Sequence, residues 1–216
     1  MLGLMCLGVT NYRRMSRSID MSEYLGVSSQ EKFAIEISGY KENGFYVELG
    51  AFDSKIGSNT YHLEKDYRWS GVSFEIVEEK RKEFESNRTN PCFGDALDFD
   101  YLSYFKENNF PKQIDYLQVD IDAGYDTHIK PLTPHSTLLG LISIPLTQYR
   151  FNVIVFEHDT NMYWRLKSTR DAQREILDGL GYTLIWKEQH EDWWIDCNVV
   201  DHQIARKYFY GKRFHV

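Results

Sequence analysis

The sequence predicts a doubly wound α/β fold, with a Rossmann-like and mostly parallel sheet that ends in an antiparallel hairpin. From Glu31 onward, short apolar runs alternate with amphipathic stretches, the pattern of successive βαβ units. Five of those runs end at a carboxylate, and the last two apolar runs follow each other with no helix between them.

Gly44 to Leu49 reads as the first strand, and Ser58 to Tyr67 as a helix with Ser58 at its N-cap. The second strand is Gly71 to Ile76. It is followed by a charged helix, Val77 to Glu85, that turns only Phe84 inward. A short strand then ends at Asp95, and Tyr101, Leu102 and Phe105 form the apolar side of a short helix. Ile114 to Val119 and Asn152 to Phe156 are the central strands. The crossover between them is marked by Pro131, Pro134 and Pro145, with Leu138, Leu139 and Ile142 as one packing face. Thr169 to Leu180 is a helix closed by Gly181, and Tyr182 to Trp186 pairs with Ile195 to Val200 as the final hairpin.

With 216 residues, the chain suits one folded domain over 31–200, an N-terminal extension over 1–30 that is disordered or serves docking, and a tail over 201–216. Met1 to Val9 is apolar but too short to span a bilayer. A net charge of -7 argues against a protein that coats nucleic acid, which needs a basic field around the phosphates. Cys6, Cys92 and Cys197 are too far apart in sequence for a C-x-x-C zinc site, which suits a reducing, cytoplasmic setting. A homo-oligomer is compatible with this composition.

In open α/β sheets ligands bind outside the carboxyl ends of the strands, where the strand order reverses. Glu48 with Gly50 and Asp53, then Glu75, Asp95, Asp120 with Asp122, and Glu157 with His158 and Asp159 all fall at such ends. A dinucleotide would need G-x-G-x-x-G to bring backbone up to its pyrophosphate. Here the turn reads Gly50-Ala51-Phe52-Asp53, which lacks the second glycine and places an acid where a dianion would sit. S-adenosylmethionine has no phosphate, carries a sulfonium and an ammonium, and offers a ribose diol to an acid on the second strand. Glu75 is then the diol partner, Gly50 permits close approach, Glu48 or Asp53 meets the ammonium, and Asp95 lies by the adenine.

The stretches Gly44 to Asp53, Ser58 to Thr60, Trp69 to Glu75, Ile114 to Asp122, Phe156 to Asp159 and Glu191 to Trp194 together resemble the FkbM-type methyltransferases. The likeness implies a class I methyltransferase fold and O-methylation of a sugar, glycan or similar small molecule. It adds Ser58, Asn59, Ala96 and Asp120 to the donor-binding set. Where that family often has Glu-Gly after Asp-Ile, this chain has Asp122-Ala123-Gly124.

A hydroxyl is a poor nucleophile until its proton leaves, so a base is expected. His158 is the first choice, with Asp122, Asp159 and Asp120 as rivals. The alternative activator is a divalent ion such as Mg2+, held by Asp120, Glu157 and Asp159. Glu191 to Trp194 could form a rim around the substrate, and Tyr163 to Arg165 a covering loop. Two other functions compete. One is an RNA ribose or cap methyltransferase built on Lys41, Asp120, Lys167 and Glu191. The other is a cofactor-binding module without turnover.

Overall fold

A computed structural model describes residues 30–121, 135–203 and 205. The extension expected over 1–30 lies outside these residues apart from Gln30, and the tail over 201–216 is described only at 201–203 and 205. Among these residues fourteen elements follow in order: α1 (Gln30–Ile37), β1 (Phe45–Leu49), α2 (Tyr61–Lys65), β2 (Ser70–Phe74), α3 (Glu78–Asn87), β3 (Cys92–Phe93), α4 (Tyr101–Glu107), β4 (Gln113–Val119), α5 (Ser136–Ser143), β5 (Arg150–Glu157), a 3-10 turn (Trp164–Leu166), α6 (Lys167–Gly179), β6 (Thr183–Lys187) and β7 (Glu191–Ile195).

The seven strands form one sheet in the order β3-β2-β1-β4-β5-β7-β6. β1 to β5 are parallel, while β7 lies antiparallel between β5 and β6. Strand order reverses between β1 and β4, which puts the crevice at their carboxyl ends. The expected mostly parallel sheet with an antiparallel end is therefore present.

Period-two alternation gives each strand two apolar faces, as a sheet covered on both sides requires. Val47, Leu49, Leu117, Val119, Ile154, Phe156 and Trp194 pack on one face with Tyr101 and Phe105 of α4, Leu141 of α5 and Leu177 of α6. Tyr46, Tyr116, Val153, Val155, Trp193 and Ile195 pack on the other with Phe33 and Ala34 of α1 and Leu63 of α2. α3 buries Phe84 alone, as its charged sequence predicts.

Three local expectations need correction. Ser58 is not an N-cap: α2 begins at Tyr61 after Thr60, and the Ser58 Oγ accepts from the Thr60 N–H at 3.2 Å. α5 does not pack through Leu139 and Ile142, which are 37% and 54% exposed, but through Ser136, Thr137, Gly140 and Leu141. Its close approach explains the choice, because a β-carbon on Gly140 would lie 2.9 Å from Ile121 Cδ1 and 3.1 Å from Leu49 Cδ1. The last strand is Glu191–Ile195 rather than Ile195 to Val200, so Glu191 to Trp194 is no rim. All of its side chains are buried within the sheet.

Candidate active site at the carboxyl edge

The ends of β1, β2 and β4 are tied together by backbone. Gly50 and Ala51 donate N–H bonds to the Phe74 carbonyl at 3.0 and 2.9 Å, and Asp120 donates to the Leu49 carbonyl at 2.8 Å. Gly50 has φ +87 and stands directly against Asp120, so only glycine fits this crossing of two turns. The strand-end acids are thereby held at a fixed spacing.

Glu48 is fully buried at the end of β1. Its Oε2 accepts from Thr60 Oγ1 at 2.9 Å and Ser73 Oγ at 2.6 Å, while Oε1 accepts no hydrogen bond. Burial pushes its pKa up to about 7 against the pull of Arg88, Ser73 and Thr60. Glu75, just past β2, accepts from the Phe52 N–H at 2.8 Å and the Val77 N–H at 2.7 Å. It clamps the Gly50 turn while each carboxylate oxygen keeps a further lone pair.

Other expected residues are dispersed along this edge. Asn59 Nδ2 lies 3.5 Å from Asp120 Oδ2, joining the α2 approach to the end of β4. Ser58 is buried and its Oγ also accepts from Arg88 at 3.3 Å. Asp53 is ion-paired with Lys80 of α3, which also lies 4.4 Å over the Phe52 ring. Asp95 is exposed and its Oδ1 accepts from the Leu97 N–H at 2.8 Å, while the Ala96 carbonyl accepts from the Tyr101 hydroxyl at 2.7 Å. Asp122 lies outside the described residues.

At the end of β5, the His158 ring is 2% exposed. Its Nδ1 is 3.2 Å from Thr160 Oγ1, and its Nε2 is 3.8 Å from Asp192 Oδ1. Asp192 also accepts from Arg174 and Gln173 of α6. Burial acts to raise the Asp192 pKa, but His158 and Arg174 hold it below the usual carboxylate range. Asp159 is buried with φ +49, and its N–H donates to the His190 carbonyl at 2.9 Å. Glu157 pairs across the ladder with Glu191. Among the described residues no three His, Cys, Asp or Glu side chains come together as a metal-ligand set, so the expected Asp120, Glu157 and Asp159 site is not formed.

The Lys41, Asp120, Lys167 and Glu191 tetrad is also not assembled. Lys41 Nζ is held 2.8 Å from Asp115 Oδ2, near the amino end of β4. Asp120 lies five residues further along, roughly 16 Å away at strand rise. Tyr163 to Arg165 does follow β5, with Trp164 73% exposed in the 3-10 turn.

Several residues of this region went unrecognised in the sequence. Arg88 is the largest omission. Its guanidinium is buried and donates to Glu64, the Ser54 and Thr60 carbonyls, Thr60 Oγ1, Ser58 Oγ and the Tyr46 hydroxyl. From α1, Glu31 accepts from the His62 and Leu63 N–H groups at the start of α2. Ser73 was within reach, since period two places it on the same face of β2 as Glu75.

The strand order and the switch-point crevice define the fold of the class I S-adenosylmethionine-dependent methyltransferases. No family model matches the chain, and no curated protein matches it. Among solved structures the chain is similar to the O-methyltransferase from Bacillus cereus in complex with SAH, at 16% identity, 81% coverage of both chains and a TM-score of 0.50. It is also similar to human methyltransferase-like protein 13 in complex with SAH, at 14% identity, 87% coverage of this chain and 88% of that one, and a TM-score of 0.47. At 16% identity the likeness to the Bacillus cereus enzyme concerns the fold alone. Among the described residues no helix is long and apolar enough to cross a membrane.

Proposed function

We propose that the chain transfers a methyl group from S-adenosylmethionine to a hydroxyl of a sugar, glycan or similar small molecule, as its resemblance to the FkbM-type enzymes implies. The observation that carries this reading is the set of acids Glu48, Glu75 and Asp120 around the Gly50 turn, at the point where strand order reverses. That set fits a donor with positive charge, a diol and no phosphate. A buried oxygen of Glu48 that accepts no hydrogen bond supports the fit further.

When bound, the donor supplies a methyl carbon attached to a cationic sulfur. The protein's own part is to hold, orient and manage a proton. Glu75 accepts from the ribose hydroxyls, Glu48 faces the ammonium end, and Asp120 with Asn59 borders the reacting end. Asp95 and Ala96 border the adenine. His158 takes the acceptor's proton, with Asp122, Asp159 and Asp120 as the rivals, and the Asp192 carboxylate 3.8 Å from its Nε2 stabilises the charge it gains. Positioning supplies much of the remaining rate.

Calorimetric titration with S-adenosylmethionine tests the donor, and release of S-adenosylhomocysteine over a panel of saccharides tests the transfer. Absence of donor binding overturns the reading. Tight binding without turnover on any hydroxyl acceptor would instead favour the module that binds without catalysis.

A further inference from the structure

The segment that leaves β5 carries an exposed aromatic ring and two free cations. Trp164 is 73% exposed and Met162 61% exposed. Large apolar side chains usually turn inward, and a loose segment would account for their exposure. This one is braced. The Asp159 carbonyl accepts from the Met162 and Tyr163 N–H groups at 3.0 and 2.9 Å, the Tyr163 carbonyl accepts from the Leu166 N–H at 2.9 Å, and the Leu166 side chain is buried. The indole is thus held out to solvent on a fixed turn shortly after His158.

Hydrogen bonds tie this turn to the crevice. β5 runs parallel to β4, so residues 158–166 leave the sheet at the same edge as Asp120. Thr169, in the first turn of α6, has its Oγ1 2.5 Å from His135 Nδ1. Thr137, two residues further into α5, donates its hydroxyl to the Ile121 carbonyl at 2.6 Å, next to Asp120. The start of α6 is therefore joined to the end of β4 through the start of α5. The charges on the turn are not used by the fold. Among the described residues Arg165 is the one arginine whose guanidinium meets neither a carboxylate nor a carbonyl; it lies 5.8 Å from the centre of the Trp164 ring. Lys167 has no ion pair among the described residues, and it opens α6, where the helix dipole disfavours a cation.

We propose that Trp164 and Arg165 form the acceptor platform, and that the acceptor is a sugar bearing an oxyanion, either a carboxylate or a phosphate. The inference rests on the methyl-transfer reading above. The open face of the indole takes the C–H face of the sugar ring, and the guanidinium, whose fork matches an oxyanion, takes the acid. Lys167 adds positive charge at the same place. Two free cations suit one oxyanion, whereas an RNA strand or an anionic membrane would need a wider basic field than a chain of net charge -7 offers.

Trp69, Trp193 and Trp194 are each 2% exposed, so Trp164 supplies most of the acrylamide-quenchable emission of the full chain. The probes are methyl glucuronide and glucose 6-phosphate, with methyl glucoside as the neutral control. We expect an acid to shield this emission at a concentration where the control does not, and the acid that shields more identifies the oxyanion. Shielding by neither acid, or equal shielding by the control, overturns the proposal. So does shielding by phosphatidylglycerol vesicles or single-stranded RNA alone. In calorimetry, Trp164→Ala should weaken the bound acid about tenfold and Trp164→Phe less, while Arg165→Gln should abolish the preference for the acid over the control. Unchanged affinities in these variants remove the platform. Titrating the wild-type chain with S-adenosylmethionine separates the two failures: no donor binding sinks the methyl-transfer reading, whereas donor binding without shielding by an acid sinks the platform alone.

Discussion

A β-carbon on Gly50 would lie 1.8 Å from the carbonyl oxygen of Asp120. The turn after β1 and the turn after β4 are therefore in backbone contact at the crevice, and the left-handed φ of Gly50 is part of that contact. Gly50→Ala must push the two turns apart. Its expected cost is about 2–4 kcal/mol of stability together with loss of donor affinity, measured by urea unfolding and calorimetry.

Glu75 accepts two backbone N–H groups and is our diol acceptor. Glu75→Ala should weaken S-adenosylmethionine binding about 10–100-fold, the worth of charge-assisted hydrogen bonds. Unchanged affinity in a folded variant would remove the diol role.

His158 stands between Thr160 and Asp192 at the end of β5. His158→Ala should lower turnover by ~10²–10⁴-fold and leave donor affinity largely intact. Full activity would pass the proton to Asp120, Asp122 or Asp159.

Arg88 and Glu64 form a buried pair at 2.7 Å. Arg88→Met removes the buried cation beside the Glu64 carboxylate, which keeps only its Thr89 and Asn90 hydrogen bonds and the Lys65 ion pair, and releases the Ser54 to Thr60 loop, so a loss of about 3–5 kcal/mol is expected in denaturant unfolding. An unaltered midpoint would show that the loop is held by other groups.

Stability should fall as pH rises toward neutrality. Burial lifts Glu31, Glu48 and Glu191 from 4.5 to about 7, so the folded chain holds more protons than the unfolded one across that window. Their contribution is complete below the unfolded value and is lost on passing up through the folded one. Asp192, Asp196 and Glu64 have the opposite sign: despite the upward push of burial, their cationic and hydrogen-bonding partners lower them, and their stabilisation disappears in acid. Urea midpoints should be higher at about pH 5.5 than at about pH 8, and Glu48→Gln should flatten that slope. A midpoint that climbs over this range contradicts the assignment.

The parallel strands were legible because each apolar run stops at an acid, and a sheet edge that binds polar ligands needs that punctuation. β7 was not. Its Glu191-Asp192-Trp193-Trp194 reads locally as a polar-aromatic loop, yet Glu191 Oε2 accepts from Gln30 of α1 and Asp192 from Gln173 and Arg174 of α6, groups far away in sequence. α5 misled for a related reason: its larger apolar residues are not those that face the sheet, because Gly140 and Thr137 allow a closer approach than leucines would. Of the expected site residues, Glu48, Gly50, Glu75 and Asp120 were read from their places at strand ends, and Asn59 from the family resemblance. Arg88 follows a helix with no motif around it, and only tertiary structure reveals what it holds.

The insertion of β7 between β5 and β6 sets a condition on synthesis. Until residues 191–195 have left the ribosome, β5 presents an open edge and β6 has no neighbouring strand to join. A chain interrupted before that point would carry four finished parallel pairings and an unguarded flank, so completion of this domain belongs to its final segment.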